Sequence, residues 1–157
     1  MLHRYRYEAE FYPTLNRIPL DVRMKLDLTG LKISLKDWLA CSIEERTVLC
    51  HLPTHDTEEK QAFIGYTDFL CRKYRNQPVE VTAALDPVLW NASQVPEPVA
   101  RKSAACFNTV RLPEWQRWEP HQRYALYKMA ISKSQPEAFA DILDELRAGK
   151  IPAVDSH

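Results

Sequence analysis

Glycine is scarce in this chain: three occur among 157 residues, at positions 30, 65 and 149, with no two close together. Loops that cradle phosphate need clustered glycines so that backbone N–H groups can approach the anion. Nucleotide chemistry of the Walker or Rossmann type is therefore not expected. No apolar run approaches the ~18 residues of a membrane span, and "MLHRYRYEAE" does not read as a signal peptide. The expectation is a cytoplasmic protein with no membrane partner. A charge excess is missing too, with 21 basic against 21 acidic side chains, which argues against nucleic acid as a partner. The four cysteines, at 41, 50, 71 and 106, form no C-x-x-C pair. In a cytosolic protein such scatter favours reduced, buried thiols.

Apolar residues are plentiful, at 45%, so a core is available and disorder is not expected. A chain of this length buries roughly 70% of its unfolded surface in one core. Charge is uneven along it. Residues 101–133 hold seven basic and two acidic side chains (7 − 2 = +5), and 134–157 hold two and five (2 − 5 = −3). Such a strip beside an acidic tail suits either a docking surface or, more commonly, solvated helix faces.

The stretch "IPLDVRMKLDLTGLKISLKDW" opens with apolar residues at every second position, a strand period. Its residue types argue otherwise, because Leu, Met, Arg and Lys are good helix formers. Pro19 suits a first helical position and Gly30 the left-handed residue past a helix end, with Leu26 and Leu31 placed for a Schellman contact. Ser34 with Asp37, Ser42 with Glu45, and Asp56 with Glu59 read as capping boxes. Helices are predicted near 19–28, 35–40 and 43–52, and from Asp56 through "TEEKQAFIGYTDFLCRKYR", with Ala62, Phe63, Tyr66, Phe69, Leu70 and Tyr74 facing the core.

Prolines 78, 87, 96 and 98 make 76–99 a proline-rich connecting segment without a long helix, in which Trp90 is expected to be buried. Further helices follow at "PEPVARKSAACF", "PEWQRW" and "PHQRYALYKMAIS". The last, "SQPEAFADILDELRAG", is predicted with a Ser134–Glu137 box and an Ala138, Ile142, Leu146 stripe. Only "RYRYEAEF" alternates like a strand. The fold expected is mainly α: a compact single-domain helical bundle over 1–157, of about six to eight helices with a short N-terminal strand.

Sites are few. Cys50, His51 and His55 form the densest group of metal-ligand types. Pro53 breaks the helix that would align the two histidines, so they are weak candidates and no metal is expected. No G-x-S-x-G elbow or glycine-rich oxyanion turn appears, so no catalytic residue is assigned. The segment after Gly30, "LKDWLA", is too short and apolar for a DNA-recognition helix.

The same opening stretch, with "ERTVL", "LP" and "QRYALYKMA", resembles the nitrate reductase-associated protein family. Ile18, Pro19, Val22, Arg23, Lys25, Leu26, Asp27, Gly30, Lys32, Leu35 and Trp38 match its first motif. Gln122, Arg123, Tyr124, Ala125, Leu126 and Lys128 match its second. Arg17 stands where the family often has cysteine, and "SKSQPEAF" replaces a histidine- and asparagine-rich stretch. The resemblance implies a non-enzymatic accessory or maturation factor acting by protein–protein contact, with no cofactor of its own. Its implied partner is assimilatory nitrate reductase or the molybdenum-cofactor machinery. The charged motif residues Arg23, Lys25, Arg123 and Lys128 become the partner-binding candidates. A small helical regulator binding DNA or a metabolite, and an enzyme with a spatially assembled Cys–His site, are the alternatives. Oligomeric state is left open.

Overall fold

The computed structural model describes residues 2–133 and 135–149. Among them are eight α-helices, two short 3-10 helices and one two-stranded antiparallel sheet. The chain divides into two units, one of residues 1–4 and 8–87 and the other of 5–7 and 88–157.

The first unit holds α1 (Leu20–Thr29), β1 (Leu31–Lys32), α2 (Leu35–Ala40), α3 (Ile43–His51), α4 (Thr57–Arg75) and β2 (Glu80–Val81). The three predicted capping boxes are formed: Asp37 N–H donates to Ser34 Oγ at 3.0 Å, Glu45 N–H to Ser42 Oγ at 3.1 Å, and Glu59 N–H to Asp56 Oδ1 at 2.8 Å. Each box satisfies donors that the first helical turn would otherwise leave unpaired.

Gly30 ends α1 at φ 72°, ψ 33°, and its N–H returns to the Leu26 carbonyl. That five-to-one bond is the αL cap rather than the expected Schellman pattern. Leu26 and Leu31 still share the unit's apolar core, with Val22, Trp38, Leu49, Phe63 and Leu70. The carbonyl of Gly30 accepts from Thr82 N–H at 2.8 Å, and that of Asp27 accepts from Leu85 N–H at 2.8 Å. Residues 80–85 thus run beside the end of α1, with Leu31 opposite Val81.

On α4 the buried face is Phe63, Thr67, Leu70 and Cys71. Phe69 and Tyr74, expected in the core, are 54% and 41% exposed, and Ala62 is exposed as well. At ~100° per residue, Ala62 and Phe69 lie well off the Phe63–Leu70 azimuth. Tyr74 is on that azimuth, in the helix's last turn, and its hydroxyl reaches Glu45 at 2.5 Å.

The expected N-terminal strand is a 3-10 helix, Arg6–Phe11. Glu8 is its buried residue, while Tyr7, Ala9 and Phe11 do not form the buried alternate face that a strand would give. The physical reason is the polar work required of Glu8. Proline 19 gives α1 no side-chain cap, so the buried Glu8 carboxylate accepts from Leu20 N–H at 2.8 Å and from Tyr12 Oη–H at 2.7 Å.

The second unit comprises α5 (Glu97–Ala105), α6 (Leu112–Arg117), α7 (Pro120–Ile131) and α8 (Ala138–Ala148). α7 packs on both α5 and α8. Trp90 is buried as expected, edge-on to Tyr124 with ring centroids 5.0 Å apart. The Ala138, Ile142 and Leu146 stripe of α8 is buried too. α8 starts at Ala138 with Glu137 at its cap position and no side-chain cap bond, so it does not begin at the expected Ser134–Glu137 box; Ser134 itself lies outside the described residues.

Candidate functional site

Two of the four charged residues expected at a docking surface are internal. Lys25 is 6% exposed and Arg123 8%. Lys25 Nζ donates to the Cys50 carbonyl at 2.6 Å and the Leu49 carbonyl at 3.3 Å. These carbonyls belong to the last turn of α3, where no further helix turn satisfies them, so a buried ammonium at the negative helix end is favourable. Asp21 Oδ2 stands 3.4 Å from the same ammonium and accepts no hydrogen bond. Burial pushes the Asp21 carboxyl above its ordinary range, opposed by Lys25 and His3. Burial likewise pushes Lys25 down, opposed by Asp21.

Arg123 plays the equivalent part in the second unit. Its Nε donates to the Trp90 carbonyl at 2.9 Å and its Nη1 to the Trp118 carbonyl. Trp115 Nε1 donates to Asn91 at 2.7 Å, so the segment after Pro87 is tied down from two helices. The other two candidates lie nearer the surface. Arg23 is exposed, with Nε on the Ile18 carbonyl at 3.1 Å, and Lys128 is half-buried on α7.

Cys50, His51 and His55 do not converge. Cys50 is buried in the core while both histidines are exposed, His55 with Nδ1 3.4 Å from Glu59. Among the described residues no three His, Cys, Asp or Glu side chains are grouped to hold a metal. Burial pushes the Cys41 and Cys50 thiols up to about 11, in Cys41 helped by Glu45. Such thiols are poor nucleophiles at neutral pH.

The first unit does carry a concave site that sequence reading missed. A cleft of about 220 Å³ opens between α2 and α4, floored by Ile33, Ala40, Cys41, Leu70 and Cys71. Lys36, Asp37, Tyr74 and Arg75 form its polar edge. Arg75 Nη1 meets Asp37 Oδ2 at 3.2 Å and Nη2 donates to the Pro78 carbonyl at 3.1 Å, while its buried Nε has no partner. Asp37 is also the capping-box acid of α2, accepting from Ser34 N–H at 3.0 Å. On the Tyr74 side, Glu45 collects Lys73 Nζ at 2.8 Å and Ser42 N–H at 2.8 Å besides the Tyr74 hydroxyl. Desolvation works against the Glu45 charge, yet these hydrogen bonds from Lys73, Tyr74 and Ser42 hold it at about 2. The edge is therefore rigid and charged, and the floor apolar.

A family model described as conserved nitrate reductase-associated protein matches residues 4–146. The chain belongs to that family. No curated protein and no solved structure matches it. The family match spans both units and includes the proline-rich middle, which the two recognised motifs leave uncovered. Within this nitrate reductase-associated chain the motif cations Lys25 and Arg123 are internal clamps on backbone carbonyls. The sequence did hold a signal for the first of them: Asp21 and Lys25 are four apart on α1, as are Arg23 and Asp27. The two pairs differ in order, acid first in Asp21–Lys25 and base first in Arg23–Asp27, and in burial, Lys25 being buried and Arg23 exposed. Among the described residues no helix is long and apolar enough to cross a membrane.

Proposed function

We propose that this protein is a non-enzymatic accessory or maturation factor for assimilatory nitrate reductase, acting by protein–protein contact in the cytoplasm at or near molybdenum-cofactor insertion. Family membership supports the link to nitrate reductase. The observation that carries the contact reading is the α2/α4 cleft, an apolar floor edged by fixed charges, with Leu35, Leu39 and Phe69 exposed on the same two helices. Binding surfaces combine apolar pockets with a few placed polar groups in this way. The buried, raised thiols at Cys41 and Cys50 favour contact over Cys-based catalysis.

The test is deletion of the gene in nitrate-grown cells, with nitrate reductase activity, protein and transcript followed together. Normal enzyme protein with lost activity is expected, restored by the wild-type gene but not by Ala40→Trp, which fills the cleft. Lost transcript would point to a regulator, and unchanged activity would end the nitrate-linked reading. A second reading, a regulator that binds a small metabolite, is favoured by the unpartnered Arg75 Nε at the cleft. It predicts that a small anion-bearing ligand raises thermal stability and that Arg75→Gln abolishes the rise.

A further inference from the structure

Phe107 is 96% exposed and sits at φ 57°, the left-handed region that a bulky residue rarely occupies. Its place is the end of α5. Asn108 N–H returns to the Ser103 carbonyl at 2.9 Å and Phe107 N–H to the Ala104 carbonyl at 3.0 Å. That pair of bonds is a Schellman stop, and Phe107 holds the position ordinarily given to glycine. The left-handed backbone costs a phenylalanine stability, and an exposed ring returns no burial for it.

The turn is nevertheless fixed. Arg147 Nη2 donates to the carbonyls of Asn108 at 3.0 Å and Thr109 at 3.2 Å, while Glu114 holds the same guanidinium at 2.9 and 3.0 Å. The fully buried Ser103 hydroxyl accepts from Val110 N–H at 3.0 Å. Along the sequence, residues 101–111, "RKSAACFNTVR", carry Arg101, Lys102 and Arg111 and no acid, and the nearby Glu114 is taken up by Arg147. Arg101 makes a fully solvated pair with Glu97 of the preceding turn, at 3.2 Å.

We propose that Phe107 is the anchor of a docking surface, inserting its ring into an apolar pocket bordered by carboxylates on a partner protein. A rigid turn that presents one aromatic side chain pre-organises a binding hot spot. The cations at 101, 102 and 111, close by in the sequence, match an acidic rim and speed the encounter. The inference rests on the reading that this protein acts by protein contact, but not on which protein it touches.

The test replaces Phe107 with photo-crosslinking benzoyl-phenylalanine in nitrate-grown cells and maps the crosslinked peptide by mass spectrometry. The expected product joins position 107 to an apolar, Asp/Glu-flanked peptide of nitrate reductase. The same kind of peptide on a different protein upholds the anchor and removes nitrate reductase as its target. No crosslink, one to a second copy of this chain, or one to a peptide without those features overturns the proposal. In parallel, Phe107→Gly is expected to unfold at the same or higher urea concentration while the purified variant loses at least tenfold in affinity for the crosslinked partner. A lower midpoint would assign the ring a structural role and overturn the anchor.

Discussion

Alanine at Gly30 and alanine at Gly65 are expected to change stability in opposite directions. At Gly30 the backbone has φ 72°, and an added Cβ would lie 2.6 Å from the Thr82 carbonyl oxygen and 3.1 Å from Ala84 N. Holding a non-glycine residue left-handed costs about 1–2 kcal/mol. The clash is with backbone, so relief displaces residues 82–84 and threatens the Thr82 to Gly30 bond of 2.8 Å, worth about 1 kcal/mol. A total loss of about 2–3 kcal/mol follows. Gly65 has nothing within 4 Å of its added Cβ and sits inside α4, where alanine gains about 0.5–1 kcal/mol. Urea unfolding followed by far-ultraviolet circular dichroism reads both. With a slope near ~2 kcal/mol per molar, Gly30→Ala lowers the midpoint by roughly 1 M and Gly65→Ala raises it by roughly 0.3 M. A Gly30→Ala midpoint within roughly 0.2 M of wild type would refute the argument, because it would mean that neither the left-handed cap nor the close approach constrains the fold.

Four further outcomes are expected. Lys25→Ala strips two carbonyls and leaves Asp21 buried without its cation, a loss on the order of 3–5 kcal/mol; thermal melts should show Asp21→Asn recovering part of it, and a loss under about 1 kcal/mol would contradict the buried-pair reading. Glu45 is held at about 2 against an ordinary 4.5, so its contribution is full above the unfolded value and fades as pH falls toward 2; wild-type urea midpoints should drop more steeply than those of Glu45→Gln below pH 4.5. Arg123→Lys keeps the charge but not the fork that spans the Trp90 and Trp118 carbonyls, so melting falls and tryptophan emission shifts red, and an unchanged melt would sink that role. In native protein only the exposed Cys106 should react quickly with a disulfide reagent at pH 8, with Cys41, Cys50 and Cys71 released on unfolding; fast labelling of two or more thiols would contradict their burial.

Local chemistry made most helices legible. Capping boxes at Ser34, Ser42 and Asp56, and glycine at position 30, write their instructions within a few residues, and α2 to α4 start where those signals stand. What was not legible depends on partners distant in sequence. "RYRYEAEF" reads as alternating until Glu8 is seen capping a helix that begins at Leu20. Lys25 and Arg123 look like surface cations because the carbonyls at 49, 50 and 90 that they hold are 24 to 33 residues away. The α2/α4 cleft has the same origin, since its two walls are some thirty residues apart along the chain. The Phe107 turn sits between these cases: its position past a helix end is local, but its exposure is not.

The Gly30 to Thr82 hydrogen bond joins residues fifty-two apart (82 − 30 = 52) and encloses α2, α3 and α4. Closing a loop of that length carries an entropy cost that each enclosed helix escapes when it forms alone. Order of assembly follows: the three helices form early from their own local caps, and the β1–β2 ladder, which closes the longest of these loops, zips late over them. Damage at Gly30 should then appear as faster unfolding with the refolding rate nearly untouched. The short sheet is in kinetic terms a latch, and how long the first unit stays folded depends on it more than how fast it folds.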